Sequence, residues 1–145
     1  MRFSIVTAIT LFSLIGVALS VFSLLTHASL VSSSFCDINA TFDCDVVNKG
    51  VYSTIFGIPV ALLGVIGYGF MFVASVLKRR QPTDRSITWI LFGSAVGAFI
   101  FSLYLTSLEA FVLQTWCILC LGSQATIFIL LMLITFLLRN ERKPT

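Results

Sequence analysis

The stretch AFVLQTWCILCLGSQATIFILLMLITFLL, residues 110–138, contains no Lys, Arg, Asp or Glu and carries two cysteines near its beginning. A helix rises about 1.5 Å per residue, so about 20 apolar residues cross the roughly 30 Å hydrocarbon core of a bilayer. This stretch is therefore long enough to cross a membrane as one helix.

Three further tracts, residues 3–36, 50–77 and 86–108, also contain no Lys, Arg, Asp or Glu. The 145-residue chain is 58% hydrophobic and 10% charged, whereas soluble domains are about 25% charged. This composition excludes a water-soluble globule, a disordered chain and a coiled coil. We predict an all-α membrane protein, a single domain over residues 1–145 with four transmembrane helices. The predicted helices are about 5–28, 54–77, 86–108 and 116–138.

The first tract could instead be a cleaved signal peptide, because it follows Arg2 and ends among small residues near Ala28. The apolar region of a signal peptide spans about 7–15 residues. Residues 5–25 already exceed that length without a charge. We therefore predict a retained helix.

The basic residues indicate the orientation of the bundle. Four crossings place both termini and the loop KRRQPTDR (78–85) on one side, with eight of the nine Lys and Arg residues, and leave Lys49 on the other. Basic loops stay in the cytoplasm, where they contact anionic lipid headgroups. We predict cytoplasmic termini and a long extracytoplasmic loop from about Ser29 to Tyr52. The sequence has no stripe of basic residues interleaved with aromatic residues outside the predicted membrane segments, so we predict no nucleic-acid partner. The eight residues are Arg2, Lys78, Arg79, Arg80, Arg85, Arg139, Arg142 and Lys143.

All four cysteines fall on the predicted extracytoplasmic side. Cys36 and Cys44 lie in the long loop, and Cys117 and Cys120 form a C-x-x-C motif at the start of the fourth helix. Paired thiols persist as disulfides in an oxidising compartment. We expect Cys117 in the first helical turn, where free N–H groups and the helix dipole lower the pKa of a thiol.

Several kinds of site could use these cysteines. They could form a structural disulfide, a four-thiolate zinc site or two unrelated pairs. Zinc sites usually use short C-x(2–4)-C spacings, which the loop pair lacks, so we predict no metal. The interpretation we favour is a redox relay. A flexible, solvated loop pair would exchange thiols with an external protein and pass electrons to the C-x-x-C pair, which would reduce a lipid-soluble acceptor.

A second motif, Ser53-Thr54-Ile55-Phe56-Gly57 followed by Ile58-Pro59, opens the second predicted helix. With four helices, a C-x7-C loop pair and the C-x-x-C, the chain resembles the vitamin K epoxide reductase (VKOR) family over nearly its whole length, including its bacterial quinone-linked members. The resemblance implies a quinone-dependent protein-disulfide oxidoreductase that supports disulfide-bond formation. Its location would be the bacterial inner membrane, with the cysteines on the periplasmic or lumenal side. The quinone would be ubiquinone or menaquinone, or one of the vitamin K type.

The resemblance also implies a role for each cysteine. Cys120 would lie next to the quinone and Cys117 would exchange with Cys44. Cys36 would meet the external thiol protein. Many bacterial homologues carry a fused thioredoxin-like domain. This sequence ends at Thr145, so the predicted partner is a separate extracytoplasmic thioredoxin-fold protein of the DsbA-like kind.

By the same resemblance, Ser53 and Phe56 would line the quinone pocket, although Ser53 could equally be the N-cap of the second helix. Trp116 could belong to an interfacial aromatic belt or could wall the quinone site. Gln124 takes the position of the vertebrate tyrosine that bonds the vitamin K carbonyl. This departure from the family's pattern argues against vitamin K epoxide as the substrate. One alternative function is nevertheless a reductase of vitamin K epoxide, which would use the same cysteines, and another is a membrane scaffold with structural disulfides.

Two polar residues lie at predicted helix ends on the extracytoplasmic side. We expect His27 to be an interfacial side chain rather than a catalytic base. We expect Glu109 to cap or solvate the end of the third helix.

Overall fold

The computed structural model describes residues 1–32 and 34–142, and Lys143 of the predicted cytoplasmic tail lies outside the described residues. Over these described residues the chain forms five α-helices, and a two-stranded antiparallel hairpin precedes the third. A single 3-10 turn (Val51–Ser53) leads into the hairpin, and a π-helical turn (Glu109–Leu113) follows α4. The elements are α1 (Arg2–His27), α2 (Cys44–Lys49), β1 (Thr54–Ile55), β2 (Ile58–Pro59), α3 (Val60–Arg80), α4 (Arg85–Leu108) and α5 (Ile118–Arg142).

Helices α1, α3, α4 and α5 are each long and apolar enough to cross a membrane. Helix α1 packs against α3 and α5, and α4 packs against α5 and α3. The core between them is apolar, with Ile9, Met71, Leu91, Leu130 and Ile134 among its buried side chains. The predicted four-helix membrane bundle is confirmed.

The predicted start of the second membrane helix at residue 54 is wrong, because the helix begins at Val60. Phe56 and Gly57 have φ angles of 51° and 78°. Two successive residues with positive φ form a tight hairpin turn whose backbone twist matches the right-handed twist of the two strands. Pro59 then precedes the first helical residue. Ser53 is therefore not the N-cap of this helix; its hydroxyl donates to the Gly50 carbonyl oxygen at 2.6 Å.

The ends of α3 and α5 that lie away from the cysteines run past the predicted ends at residues 77 and 138. The Lys78 ammonium lies 2.7 Å from a carboxylate oxygen of Glu141, and both side chains are almost fully buried. Lys78 also donates to the Asp84 carbonyl oxygen at 2.6 Å, and the Thr88 hydroxyl donates to the Glu141 carboxylate at 3.1 Å. Lys78 and Glu141 neutralise each other's charge in this buried position. Helix α3 can therefore include Lys78, and α5 can include Glu141.

Candidate active site

Backbone hydrogen bonds hold the long loop between α1 and α3, here called the outer loop, against the segment that precedes α5. The Trp116 amide donates to the Thr41 carbonyl oxygen at 2.8 Å, and the Asp43 amide donates to the Trp116 carbonyl oxygen at 3.2 Å. The Asn39 side chain accepts from the amides of Thr41 and Phe42 at 2.9 and 3.1 Å, an arrangement that stabilises a tight turn. These bonds bring the loop cysteines next to the C-x-x-C motif.

A disulfide joins Cys36 to Cys44 at the start of the short helix α2. The Asp43 carboxylate caps this helix by accepting from the Val46 amide at 3.0 Å. The Asp37 carboxylate accepts from the Cys44 amide at 3.1 Å. Asp37 and Asp43 thus fix the backbone around the disulfide.

The prediction of a flexible, solvated loop pair is wrong, because Cys36 and Cys44 are both fully buried. The Phe35 ring packs edge-on against Phe22 of α1, with 5.3 Å between ring centroids, and the loop backbone pairs with the Trp116 segment. An external thiol can therefore reach this disulfide only after the loop moves away from the bundle.

Cys117 is the cysteine that meets the loop disulfide. Its Sγ atom lies 3.3 Å from the Sγ atom of Cys44, and Cys117 is fully buried. Cys117 lies one residue before α5 rather than in its first turn. There its sulfur accepts from the Cys120 amide at 3.4 Å, as the oxygen of an N-cap serine would.

The pKa of the Cys117 thiol lies below its ordinary value. The main cause is a hydrogen bond from the Cys120 thiol, and the backbone amides of Cys120 and Leu119 act in the same direction. Burial and the nearby Glu109 carboxyl oppose them and are outweighed. The predicted direction of the shift agrees, but the neighbouring thiol contributes more than the helix terminus.

Glu109 belongs to the same cluster, which we did not predict. Its side chain is 3% exposed rather than solvated, and its Oε2 atom accepts from the Cys117 amide at 3.3 Å. Its carboxyl group also lies next to the Cys120 thiol, and both residues line the same cavity. The sequence does carry a signal, since Glu109 is the sole charged residue between Arg85 and Arg139. Ionisable groups inside apolar tracts usually have a function.

Asn48 of α2 supports Cys117 from the opposite side. Its amide nitrogen lies 3.9 Å from the Cys117 sulfur, and its amide oxygen accepts from the Ser23 hydroxyl at 2.7 Å. The Asn48 carbonyl oxygen is hydrogen-bonded to Nδ1 of His27. His27 therefore links α1 to α2 by a hydrogen bond. We had expected only an interfacial side chain at this position and did not predict this contact.

A cavity of about 390 Å³ lies between the four long helices, directly next to Cys120. Apolar side chains form most of its wall. Glu109 and Cys120 line its outer end, and Gln124 and Ser102 add polar groups. Gln124 is hydrogen-bonded to the Thr106 hydroxyl, whereas the Ser102 hydroxyl has no hydrogen-bond partner among residues 1–32 and 34–142. The cavity has the size and apolar character of a small-molecule site.

The four residues that the resemblance implied for the quinone pocket are not all at this cavity. Ser53 and Gln124 line it. Phe56 is fully exposed on the hairpin turn, and Trp116 pairs with the outer loop, so neither contributes to the wall.

The sulfur atoms of Cys36, Cys44 and Cys117 all lie within 4.8 Å of one another. With all three reduced, thiolates this close could bind a soft metal ion such as Zn²⁺. In the disulfide arrangement two of these sulfurs carry no thiolate. The arrangement is therefore suited to thiol–disulfide exchange.

A search of the curated proteins found no match to this chain. The family profile described as "Vitamin K epoxide reductase family" matches residues 7–135. This match covers all four cysteines, the hairpin motif and nearly all of the helical bundle, and it shows that the chain belongs to the vitamin K epoxide reductase family.

Proposed function

We propose that this protein oxidises an extracytoplasmic thioredoxin-fold dithiol protein and passes the two electrons through its two cysteine pairs to a membrane quinone. As a member of the VKOR family, the chain is a membrane oxidoreductase. The observation that supports the proposed pathway is the position of Cys117. Its sulfur lies 3.3 Å from Cys44 of the loop disulfide, while its C-x-x-C partner Cys120 lines the cavity.

The transfer takes place by two rounds of thiol–disulfide exchange. A thiolate of the partner attacks Cys36, and the partner then closes its own disulfide, so that Cys36 and Cys44 are left reduced. Cys44 next attacks Cys117 of a Cys117–Cys120 disulfide, and Cys36 resolves the mixed disulfide. The products are a Cys36–Cys44 disulfide and a reduced C-x-x-C pair, which is the pairing that the structure shows. The low pKa of Cys117 makes it a good leaving group in the second step.

The reduced C-x-x-C pair faces the site where a quinone would accept electrons. The volume of about 390 Å³ falls within the range of about 300–1,000 Å³ for small-molecule pockets. The apolar wall suits a quinone ring and the start of its isoprenoid tail. The Ser102 hydroxyl can donate to a quinone carbonyl oxygen, and the Gln124 and Ser53 side chains lie in the same wall. Ubiquinone and menaquinone both fit this chemistry.

The partner is a separate, DsbA-like protein on the extracytoplasmic face of a bacterial inner membrane. The side chains of Phe35 and Ile38 flank Cys36 and are 58% and 65% exposed. Apolar surface next to a buried disulfide is available to a protein partner. Loop displacement by that partner would expose Cys36.

We expect Cys120→Ala to trap a Cys44–Cys117 disulfide, because Cys120 can then no longer attack Cys117 and release Cys44. We expect Cys44 rather than Cys36 as the partner of Cys117, because the Sγ atoms of Cys44 and Cys117 lie 3.3 Å apart. Peptide mapping under non-reducing conditions identifies the trapped pair, and Cys120→Ala combined with Cys44→Ala is the control that should lose it. A trapped Cys36–Cys117 disulfide would reverse the roles of the two loop cysteines.

We expect both termini to be cytoplasmic, because eight of the nine basic residues lie on that side. A phosphatase that is active only outside the cytoplasm should be silent when fused after Thr145 and active when inserted near Ser29. Phosphatase activity in whole cells is the measurement. The opposite pattern would place the cysteines in a reducing compartment and would contradict the proposed thiol oxidation.

A further inference from the structure

Glu109 has an unusual position for a carboxyl group in a membrane bundle. It begins the π-helical turn after α4, and its side chain is 3% exposed. Among the described residues that line the cavity, it is the one with a carboxyl group, and none of the others is Asp, Lys or Arg. Burying a carboxyl group is costly, so its retention here calls for a local role.

The contacts of Glu109 connect it to both members of the C-x-x-C pair. Its Oε2 atom accepts from the Cys117 amide at 3.3 Å, and its carboxyl group lies next to the Cys120 thiol. Both Glu109 and Cys120 line the cavity. Glu109 thus lies close to the thiol proton that must leave when Cys120 is oxidised and also faces the cavity.

We propose that Glu109 is a catalytic residue that takes the proton from Cys120 and delivers it to a quinone oxygen. This inference rests on the proposed function, since it assigns the proton pathway for the same quinone reduction. The Cys120 thiol, the Glu109 carboxyl group and the cavity are next to one another, because both side chains line the cavity.

The step balances in protons and electrons. The thiols of Cys117 and Cys120 together lose two electrons and two protons and form one S–S bond, while the quinone gains both and becomes a hydroquinone. The Glu109 carboxylate accepts the Cys120 proton and then gives it to one quinone oxygen. Cys117 leaves the exchange with the loop pair as a thiolate, so its proton is already in the solvent, and the second quinone oxygen takes a proton from water.

The other titratable side chains that line the cavity are engaged elsewhere or far more exposed. His27 is hydrogen-bonded through Nδ1 to the Asn48 carbonyl oxygen. The Tyr68 hydroxyl donates to the Ser123 carbonyl oxygen at 2.8 Å. Tyr52 is 46% exposed. Glu109 is therefore the better placed group for proton transfer from Cys120.

The test is Glu109→Gln in the full-length protein, assayed for reduction of ubiquinone and of menaquinone in detergent micelles. The amide oxygen of Gln can still accept from the Cys117 amide, so the cluster keeps its shape, but Gln cannot carry the proton. We expect a loss of about 100-fold or more near neutral pH, as is typical when an acid–base group is removed. Asp45→Asn is the matched control, because it removes an exposed carboxyl group on α2 and should keep the wild-type rate.

The pH profile separates proton transfer from a structural role. Hydroxide can take the Cys120 proton in place of Glu109 and becomes more abundant as the pH rises, so the deficit of Glu109→Gln should narrow with increasing pH. A deficit of equal size at every pH, or a variant rate close to that of the wild-type protein, would overturn the inference. Trapping of the Cys44–Cys117 disulfide in Cys120→Ala should be unchanged when Glu109→Gln is added.

A second measurement does not depend on the variant folding. In the wild-type protein with the C-x-x-C pair reduced, the single-turnover rate of quinone reduction should fall at acid pH as the carboxylate is protonated. A rate that is independent of pH below neutrality would overturn the role of Glu109. If the wild-type protein reduces neither quinone, the proposed function fails. If the wild-type protein and Glu109→Gln reduce them equally, only this inference fails.

Discussion

Cys117→Ala and Cys120→Ala are each expected to abolish quinone reduction, even when a small dithiol replaces the protein donor. Both sulfur atoms are needed for the S–S bond whose formation releases the two electrons, and Cys120 is the cysteine at the cavity. The measurement is the absorbance change of ubiquinone or menaquinone added to purified protein with the dithiol. Quinone reduction that survives without Cys120 would contradict the proposed order of transfer.

The matched variants are Cys36→Ala and Cys44→Ala. Each removes the loop disulfide, and with it the site that the protein donor attacks, so oxidation of a thioredoxin-fold dithiol protein should stop. The C-x-x-C pair is intact in these variants, and a small dithiol that reaches Cys117 should still be oxidised. Equal loss with both donors would show that the loop disulfide is required for the structure of the site rather than for electron transfer.

Lys78→Met is expected to lower the free energy of unfolding by about 3–5 kcal/mol, the usual cost of removing one member of a buried ion pair. Lys78 is 2% exposed and its ammonium lies 2.7 Å from Glu141. Without Lys78, the Glu141 carboxylate keeps the Thr88 hydroxyl as a partner but loses its counter-charge. Unfolding of the protein in mixed micelles with increasing dodecyl sulfate measures the change.

Two further variants test whether charge burial is the cause. Lys78→Met combined with Glu141→Leu should recover most of the stability, because apolar replacement of a whole buried pair is often neutral or better. Lys49→Met removes the exposed pair with Asp45 and should cost less than about 1 kcal/mol. A Lys78→Met variant as stable as Lys49→Met would show that this ion pair does not stabilise the bundle.

The four membrane helices could be predicted from the sequence because transfer into lipid depends on each segment separately. An uncharged tract of sufficient length can span the bilayer whatever other helices it later packs against. Residues 3–36 and 110–138 therefore predict membrane helices before any tertiary contact is known. The helix ends were less predictable. Helix α3 starts at Val60 after a left-handed turn at Phe56 and Gly57, and its other end includes Lys78, whose charge is matched by Glu141.

The four cysteines could be singled out from the sequence as candidate redox groups, since two pairs predicted on one side of a membrane favour thiol exchange over the alternative uses. How the two pairs meet depends on tertiary contacts. Cys44 and Cys117 are 73 residues apart, and backbone pairing of the loop with the Trp116 segment brings their sulfur atoms to 3.3 Å. The same folding buries the loop disulfide and turns Glu109 inward to Cys120. Such contacts depend on several segments packing at once, and no local pattern of residues encodes them.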